Sequence, residues 1–348
     1  MLLADGVLRK KIDSVSSRRH YLNYKFVALK ILGIIWLLDG ILQFQPYMFS
    51  NKFVTNILEN SAQGQPYFVN VSVMNVAKLV GGHIVFWNLL FALIQLGIGV
   101  GILIRKTEKV ALVISFVWAF GVWWFGEAFG QIFSGNATLL TGAPGAVILY
   151  GIIGLILWPT DKMTSDTNSH FDDTSSSPTL SISEKGILSK NLIKSLWALV
   201  WVLDGVLQIL PINSSKGVLV SVIKSQATGE PSVFAYCNNM LANLIHQHGV
   251  AVAISLGIFE IMIGVGVFLK NQNIFLILGM VFTLVTWVGV QDMGGIFTGQ
   301  GTDPNLGPLL ILFAFCLYKF KSEKYRVTSV VTMQKPKVLL KSLSNRVA

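Results

Sequence analysis

Apolar residues in this chain are gathered into long runs that polar segments separate. A helix needs about 20 apolar residues to cross roughly 30 Å of hydrocarbon, and each run comes close to that length. Four runs lie in the first half of the chain and four in the second, near residues 27–45, 84–104, 110–127, 143–159, 193–211, 250–269, 273–291 and 306–320. The pattern predicts about eight membrane-spanning helices.

Strands of a membrane β-barrel would show a different pattern, because polar and apolar residues alternate along them over about 10 positions. Residues 111–122 show no such alternation. Helices and closed barrels are the structures that satisfy their backbone polar groups inside lipid. The sequence therefore predicts an all-α integral membrane protein.

A repeated polar pattern divides the chain into two copies. The segment 36–46 reads Trp-Leu-Leu-Asp-Gly-Ile-Leu-Gln-Phe-Gln-Pro, and 201–211 repeats it as Trp-Val-Leu-Asp-Gly-Val-Leu-Gln-Ile-Leu-Pro. Three pairs of polar residues share one offset of 165 positions, namely Asp39 and Asp204, His83 and His248, and Gln95 and Glu260. Because an even number of spans returns the chain to the same side, we expect two tandem four-helix transmembrane bundles related by a parallel pseudo-twofold repeat.

Composition and charge favour the lipid bilayer as the main partner. The chain is 53% hydrophobic and 13% charged, with a mean hydropathy of +0.62 and a net charge of +10. Its basic residues cluster before the first run, after the second run of each copy and in the tail, which four spans per copy place on one side. The positive-inside rule predicts a multi-pass protein of the cell membrane with both termini cytoplasmic. No nucleic-acid-binding motif accompanies the charge.

The same reasoning divides the chain into five segments. A basic cytoplasmic segment covers residues 1–26, and a basic cytoplasmic tail covers 321–348. The two four-helix membrane repeats are predicted over 27–159 and 193–320. Residues 160–192 predict a flexible polar linker, because a segment rich in Asp, Ser and Thr has little apolar surface to bury.

Polar side chains at the outer ends of the spans are the first candidates for function. In the first copy Asp39, Gln43, His83 and Glu127 come from three helices and are predicted to meet at one depth, as a ligand pocket open to the outside. An acid inside a membrane is costly unless it faces the bundle interior. A hydrogen bond that only packs two helices is therefore the alternative role for Asp39.

Aromatic residues beside Glu127 suggest a ring-shaped ligand such as a quinone. Trp123 and Trp124 would stack on the ring, although Trp residues also form belts at membrane interfaces. The second copy has a related ligand-binding set in which the acid after the third span has moved by one position: Asp204, Gln208, His248, Trp287 and Asp292. The two pockets need not be equivalent.

Glu260 differs from these residues because it lies near the middle of a predicted span, where Gln95 stands in the first copy. A desolvated glutamate there could carry a proton at neutral pH. Glu260, Glu127 and Asp292 are thus the candidates for catalytic proton transfer. For Glu260 an interhelical hydrogen bond is again the alternative.

Metals and covalently bound cofactors have little support in the sequence. The chain contains no Cys-x-x-Cys pair and no phosphate-binding glycine loop of the Walker type. His83 and His248 lie at the very start of their spans, where a haem would be poorly covered. His246 and His248 lack a fixed third metal ligand. We expect no metal site, and a quinone as the candidate cofactor.

One segment resembles a known family. The run Glu260-Ile-Met-Ile-Gly264-Val-Gly266 is similar to the Glu-x-x-x-Gly pattern of the DoxX/DoxD-like four-helix membrane proteins, which include the membrane subunit of thiosulfate:quinone oxidoreductase. The first copy departs from the pattern, with Gln95 in place of the acid. The resemblance implies a lipid-embedded quinone site and an outward-facing site for a reduced small molecule.

Three functions remain as alternatives. The leading hypothesis is an integral membrane subunit of a quinone-linked redox system, which handles an external small reduced molecule together with a redox partner subunit. The second is a small-solute or proton-coupled carrier or channel with Glu260 near the midplane. The third is a non-catalytic scaffold in which the polar residues are packing bonds. Whether the chain is itself an oxidoreductase stays open.

Overall fold

The computed structural model describes residues 24–159 and 187–318. Both stretches belong to one unit, His20–Lys319. Within them the regular structure is helical and no strand occurs, which confirms the predicted all-α class. Most of the predicted N-terminal segment, most of the linker and the predicted tail lie outside the described residues, and residues 24–26, which were predicted to belong to that segment, are the first residues of a helix.

The longer helices of the described stretches are labelled here in chain order. They are α1 (24–42), α2 (Tyr67–Gly82), α3 (Ile84–Leu103), α4 (Glu108–Phe125), α5 (Ala146–Ile156), α6 (Lys190–Ile209), α7 (Val218–Gln226), α8 (Ser232–Ile245), α9 (Gly249–Gly266), α10 (Gln272–Gly289) and α11 (Leu306–Leu317). Short turns of helix connect them, among them Leu139–Thr141 and Pro211–Ser214.

Five of these helices are long and apolar enough to cross a membrane: α3, α4, α6, α9 and α10. Large apolar side chains cover their outer surfaces. Val117, Leu199 and Val285 are 65, 62 and 62% exposed, which is expected where the surrounding solvent is lipid rather than water. The membrane class predicted from composition agrees with these helices.

Two further apolar helices are shorter than the predicted spans. α5 has 11 residues and α11 has 12, which correspond to about 17 and 18 Å of helix. α5 begins three residues after the start of its predicted run, 143–159, because Gly145 has a φ of +103°. α11 begins at the first residue of its predicted run, 306–320, directly after Asn305, which has a φ of +61°, and it ends three residues early, at Leu317. A right-handed helix cannot continue through such residues.

Three of the labelled helices, α2, α7 and α8, were not predicted from hydropathy. α2 and α8 each begin directly after a proline, Pro66 and Pro231. Proline suits the start of a helix because it lacks the backbone N–H group that would be left unpaired there. α2 and α8 lie at the end of the bundle that we call the long-loop end, defined by the segments 43–83, 126–145, 210–248 and 290–305. Helices α1, α4, α6 and α10 end there, and α3, α5, α9 and α11 begin there.

Glycines allow the first and second long helices of each half to pack closely. A Cβ atom on Gly40 would lie 2.7 Å from the Leu96 side chain, and one on Gly205 would lie 2.7 Å from Ile261 and 2.5 Å from the Gly257 carbonyl oxygen. Such contacts leave room only for hydrogen at these positions, as in many membrane helix pairs. The α1–α3 and α6–α9 crossings therefore use matching positions.

Loops of each half contact the other half at the long-loop end. The Asn213 side-chain amide donates to the Gly135 carbonyl oxygen over 2.8 Å, and the Gln291 amide donates to the Leu139 carbonyl over 2.6 Å. In the opposite sense, the Gln45 amide donates to the Gly301 carbonyl over 3.2 Å. These reciprocal hydrogen bonds, with the packing of α5 against α11, join the two halves.

Candidate functional site

A cavity of about 560 Å³ lies between α1, α3 and α4 near the long-loop end. This volume falls within the roughly 300–1,000 Å³ of ordinary small-molecule sites. Most of its wall is apolar, and its aromatic residues are Trp36, Phe53, Phe91, Trp118 and Phe125. Its wall contains no Lys, Arg or His among the described residues.

The position of the opening follows from α4. Val113, Ile114 and Val117 line the cavity and are also 50, 47 and 65% exposed. Apolar side chains exposed on a membrane-crossing helix face the hydrocarbon. The cavity therefore opens sideways, where an apolar molecule dissolved in the bilayer can reach it.

Three acidic side chains lie on the cavity wall. Asp39 comes from α1, Glu127 from the residues just after α4, and Asp303 from the loop before α11 in the other half of the chain. The three carboxyl groups are close enough to interact electrostatically. The cavity therefore combines an apolar wall with a cluster of acids, and both halves contribute to it.

Glu127 is held at the start of α5. Its carboxyl oxygen Oε1 accepts a hydrogen bond from the backbone N–H of Val147 over 3.2 Å. Burial raises the pKa of Glu127 to about 8 and the neighbouring Asp303 charge adds to the shift, whereas the N–H groups of Val147 and Ala146 oppose it. At neutral pH the carboxyl group is mostly protonated and can donate a hydrogen bond into the cavity.

Asp303 is held by its own loop. Its carboxylate accepts hydrogen bonds from the Thr302 hydroxyl over 2.9 Å and from the Asn305 backbone N–H over 2.6 Å. Burial raises the pKa of Asp303, and these two hydrogen bonds act against the shift. Asn305 in turn caps α11 by accepting from the Leu306 N–H over 2.7 Å, so the start of this helix fixes the acid in place.

Polar atoms deeper in the cavity have no partner in the protein. The side-chain oxygens Asp39 Oδ1, Gln43 Oε1 and Gln95 Oε1 are buried without a hydrogen bond. The Tyr150 hydroxyl acts on Asp39 electrostatically, yet it too has no partner within hydrogen-bond distance. Buried polar atoms are normally satisfied, so this group can receive hydrogen bonds from a ligand or from water.

The predicted residues of the first half separate into two sets. Asp39, Gln43 and Glu127 share the cavity, as expected from their depth. His83 does not line it. It is exposed between α2 and α3, because α2 carries the chain away from α1 before α3 begins.

The two tryptophans predicted to stack on a ligand do not line the cavity either. The Trp123 indole N–H donates to the Pro144 carbonyl over 2.7 Å, and that of Trp124 donates to the Ser72 hydroxyl over 3.1 Å. Trp118 lines it instead. On a helix, residues 118, 122 and 125 share one face, and the aromatic band alone did not indicate which face is turned inward.

Trp287 repeats the role of Trp123 in the second half. Its indole N–H donates to the Pro304 carbonyl over 2.6 Å. Each of these tryptophans thus connects the end of a long helix to the loop that leads into α5 or α11. The same hydrogen bond occurs in both halves, which points to a structural role for both residues.

The remaining candidates of the second half are spread over three places. Asp204, Gln208 and Glu260 are buried within the bundle, with exposed fractions of 0, 1 and 0%. Asp292 is buried at the long-loop end, where the Asn238 amide donates to its carboxylate. His248 is exposed before α9. The structure therefore does not bring the five predicted ligand-binding residues of this half into one pocket.

Asp292 has an acidic neighbour that the sequence did not single out. Burial raises the pKa of Glu230 to about 7, and the Asp292 charge adds to the shift. Burial also raises the pKa of Asp292 to about 6, against the hydrogen bond from Asn238. The pair favours a bound proton near neutral pH, in a position where the first half has Gln65 and Ala128.

The aromatic band beside Glu127 includes Trp118 and Phe125, which do line the cavity. Sequence reasoning gave no site role to three residues of the cavity or its surroundings: Trp36, Tyr150 and Asp303. Tyr150 could have been found, because it is a tyrosine inside the apolar run that forms α5. Asp303 offered a weaker signal. It is an acid beside a proline at the start of a predicted span, but its contact with the other half depends on the fold.

Within residues 24–159 and 187–318, no group of three or more His, Cys, Asp or Glu side chains is arranged to hold a metal ion. Comparison of the chain with known protein families, with curated proteins and with solved structures finds no match. The site must therefore be interpreted from its own geometry.

Proposed function

We propose that this protein is an integral membrane subunit of a quinone-linked redox system and that the cavity between α1, α3 and α4 binds the quinone. The observation that carries the proposal is the combination of a lateral opening onto the hydrocarbon with acids on the inner wall. A quinone has a matching construction, with an apolar tail and a ring that carries two carbonyl oxygens. An external small reduced molecule supplies the electrons through a partner subunit.

The cavity residues have distinct roles in this proposal. Trp36 and Trp118 provide aromatic surface for the ring, and the exposed apolar side chains of α4 accompany the tail into the lipid. Glu127, protonated at neutral pH because of its raised pKa, donates a hydrogen bond to a ring carbonyl oxygen. Reduction of the ring consumes protons, which Asp39 and Glu127 are placed to deliver.

The proposal includes a specific topology. Eight spans form two tandem four-helix bundles in parallel orientation, with both termini in the cytoplasm and the long-loop end outside. The matching glycine contacts of Gly40 and Gly205, and the matching Trp–Pro hydrogen bonds of Trp123 and Trp287, support the repeat. Membership of the DoxX/DoxD-like proteins, suggested by the Glu260 segment, belongs to the same proposal.

Quenching of tryptophan fluorescence by a decyl-tailed benzoquinone tests the binding step. We expect saturable quenching that Trp118→Phe reduces and that Trp124→Phe, whose indole lies outside the cavity, leaves nearly unchanged. Glu127→Leu removes the hydrogen-bond donor and should weaken binding about fivefold, as for the loss of about 1 kcal/mol. Binding should also weaken above about pH 8, where Glu127 ionises.

Quinone reduction by membranes that contain the protein tests the redox step. If the benzoquinone neither binds the purified protein nor changes its reduction in membranes, the proposal is wrong. Stronger benzoquinone binding above pH 8 would also contradict the proposal, because the ionised Glu127 cannot donate a hydrogen bond to a ring carbonyl oxygen.

A proton-coupled carrier is the second candidate, and one observation favours it. Glu260 is fully buried in α9, and carriers commonly hold their coupling ions within the membrane near the interface of two repeats. Proteoliposomes test this role by measuring whether an imposed pH gradient drives solute uptake. Abolition of the uptake by Glu260→Gln would favour the carrier over the redox subunit.

A further inference from the structure

The second half contains two buried acids outside the cavity described above. Asp204 on α6 and Glu260 on α9 both have an exposed fraction of 0%. None of their four carboxyl oxygens has a hydrogen-bond partner in the protein. Since buried carboxyl groups are normally hydrogen-bonded or paired with a cation, this pair requires an explanation.

The two acids lie beside the close approach of α6 and α9. A Cβ atom on Gly205 would lie 3.0 Å from the Ile261 backbone nitrogen. Asp204 directly precedes Gly205 and Glu260 directly precedes Ile261, so both side chains emerge at this crossing. Within the described part of the chain, Glu260 is the charged group that acts on Asp204.

Among residues 24–159 and 187–318, no cation is placed to neutralise the pair. Of the elements packed against α6 and α9, α10 and the turns Leu139–Thr141 and Pro211–Ser214 carry no titratable side chain. α11 carries only Cys316, and α7 only Lys224, which is exposed in its last turn. On α6, Lys194 is ten residues before Asp204, or about 15 Å along the helix.

Other polar atoms lie above and below the pair on the same helix. Trp201 and Gln208 are about one turn on either side of Asp204, and their indole nitrogen and amide oxygen are also buried without partners. Gln208 lies on the side of the long-loop end, where α6 stops at Ile209. Polar side chains thus extend from the two acids toward that end of the bundle.

The first half shows that the crossing itself does not need two acids. Gln95 stands where Glu260 stands, and the Tyr150 hydroxyl is near the single acid Asp39. In the second half, residues 309–313 of α11 are Leu, Leu, Ile, Leu and Phe, so no hydroxyl takes the place of Tyr150. The second half thus has a carboxyl group, that of Glu260, at the position where the first half has the neutral amide of Gln95.

We propose that Asp204 and Glu260 form a proton-binding site in which the two carboxyl groups share one proton. One of the two acids is protonated and the other is ionised, so that the pair carries a single negative charge. Two adjacent carboxylates without a cation cannot both ionise in a medium of low dielectric constant. The proton enters and leaves past Gln208. The site is independent of quinone binding, because neither acid lines the cavity.

Infrared difference spectroscopy on the purified protein in lipid tests the site directly. We expect the wild-type spectrum at neutral pH, minus that of the Asp204→Asn, Glu260→Gln double variant, to contain one protonated carboxylic acid band and one carboxylate band. The acid band should shift when the protein is transferred into deuterated water, because the proton is exchangeable. The double variant keeps the size of both side chains and removes an uncompensated charge, so it should fold.

Two other variants sharpen the result. Gln95→Glu creates the same pair in the first half and should add a further protonated acid band. Gln208→Leu should slow the deuterium shift at least severalfold without removing the band. A difference spectrum with two carboxylate bands and no acid band would overturn the proposal. An acid band that appears only after sodium is removed would also overturn it, since sodium would then be the resident cation.

Discussion

The two halves of the bundle use the same helix crossing and place their acids in different surroundings. In the first half Gly40 brings α1 onto α3, and the acids Glu127 and Asp303 border a cavity that opens to the hydrocarbon. In the second half Gly205 brings α6 onto α9, and Asp204 and Glu260 are sealed inside.

One arrangement of crossing helices thus supports both an open cavity and a closed pair of acids. The difference depends on a few side chains. Gln95 and Tyr150 accompany the single acid of α1, whereas Glu260 and a purely apolar α11 surround the acid of α6. The polar side chains at the two crossings therefore differ, although both crossings depend on a glycine at the close contact.

The largest expected effect comes from breaking the crossing of the second half. A Cβ atom on Gly257 would lie 2.6 Å from the Gly205 carbonyl oxygen. We expect Gly257→Ala to destabilise the protein by about 3 kcal/mol or more, because the backbones must separate. Thermal unfolding in detergent measures the loss. Gly97→Ala is the matched control, since a Cβ atom there meets nothing within 4 Å; an equal loss in both variants would contradict the importance of the crossing.

A smaller effect is expected from the Trp–Pro hydrogen bonds, which both halves share. Trp123→Phe and Trp287→Phe each remove an indole N–H that donates to a proline carbonyl. Each change should cost about 1 kcal/mol of unfolding free energy, and the two costs should be similar. Trp123→Phe could instead abolish benzoquinone quenching while the fold stays stable and Trp287→Phe has no such effect. Trp123 would then contact the ligand, and its hydrogen bond to Pro144 would not be its whole role.

The pH dependence of stability tests whether Glu127, at the open cavity, is desolvated. Glu127 has an ordinary pKa of 4.5 and a folded-state pKa of about 8, so the folded state binds its proton more tightly. Its contribution to stability is complete below about pH 4.5, decreases as the pH rises to about 8, and is constant above that. Melting temperatures of the wild type and of Glu127→Gln should therefore diverge across this window. Parallel curves would show that Glu127 is not desolvated.

The smallest effect is expected at His83, which the sequence placed in the pocket and the structure leaves exposed. His83→Ala should change the unfolding free energy by less than about 0.5 kcal/mol and should leave benzoquinone binding unchanged. Fluorescence titration against the wild type checks the second point. A clear loss of affinity would return His83 to the site and would require α2 to move.

Much of the fold could be predicted from the sequence because long apolar runs specify helices in lipid. The eight helices that match the predicted runs begin and end within three residues of them. The fourth run of the first half was the least accurate in length, because α5 is three residues shorter at each end and hydropathy cannot show that Gly145 has a positive φ value. α2 and α8 were missed because their sequences are too polar for a span.

The candidate site was predictable only in part. Asp39, Gln43 and Glu127 reach one cavity because their distance along the helices from the membrane surface determines their depth. To choose Trp118 rather than Trp123 or Trp124 as a cavity residue, one must know how α4 is rotated about its axis. A nearly all-apolar helix does not reveal that rotation. To place Asp303 in the cavity, one must know how one half packs on the other. No local sequence pattern contains that information.

Asp303 also affects how the two halves can change over evolution. This carboxyl group, from the loop before α11, completes a wall whose other acids, Asp39 and Glu127, come from the first half of the described chain. Substitutions in either half therefore alter the same cavity wall. Selection on the cavity would constrain the loops of both halves together.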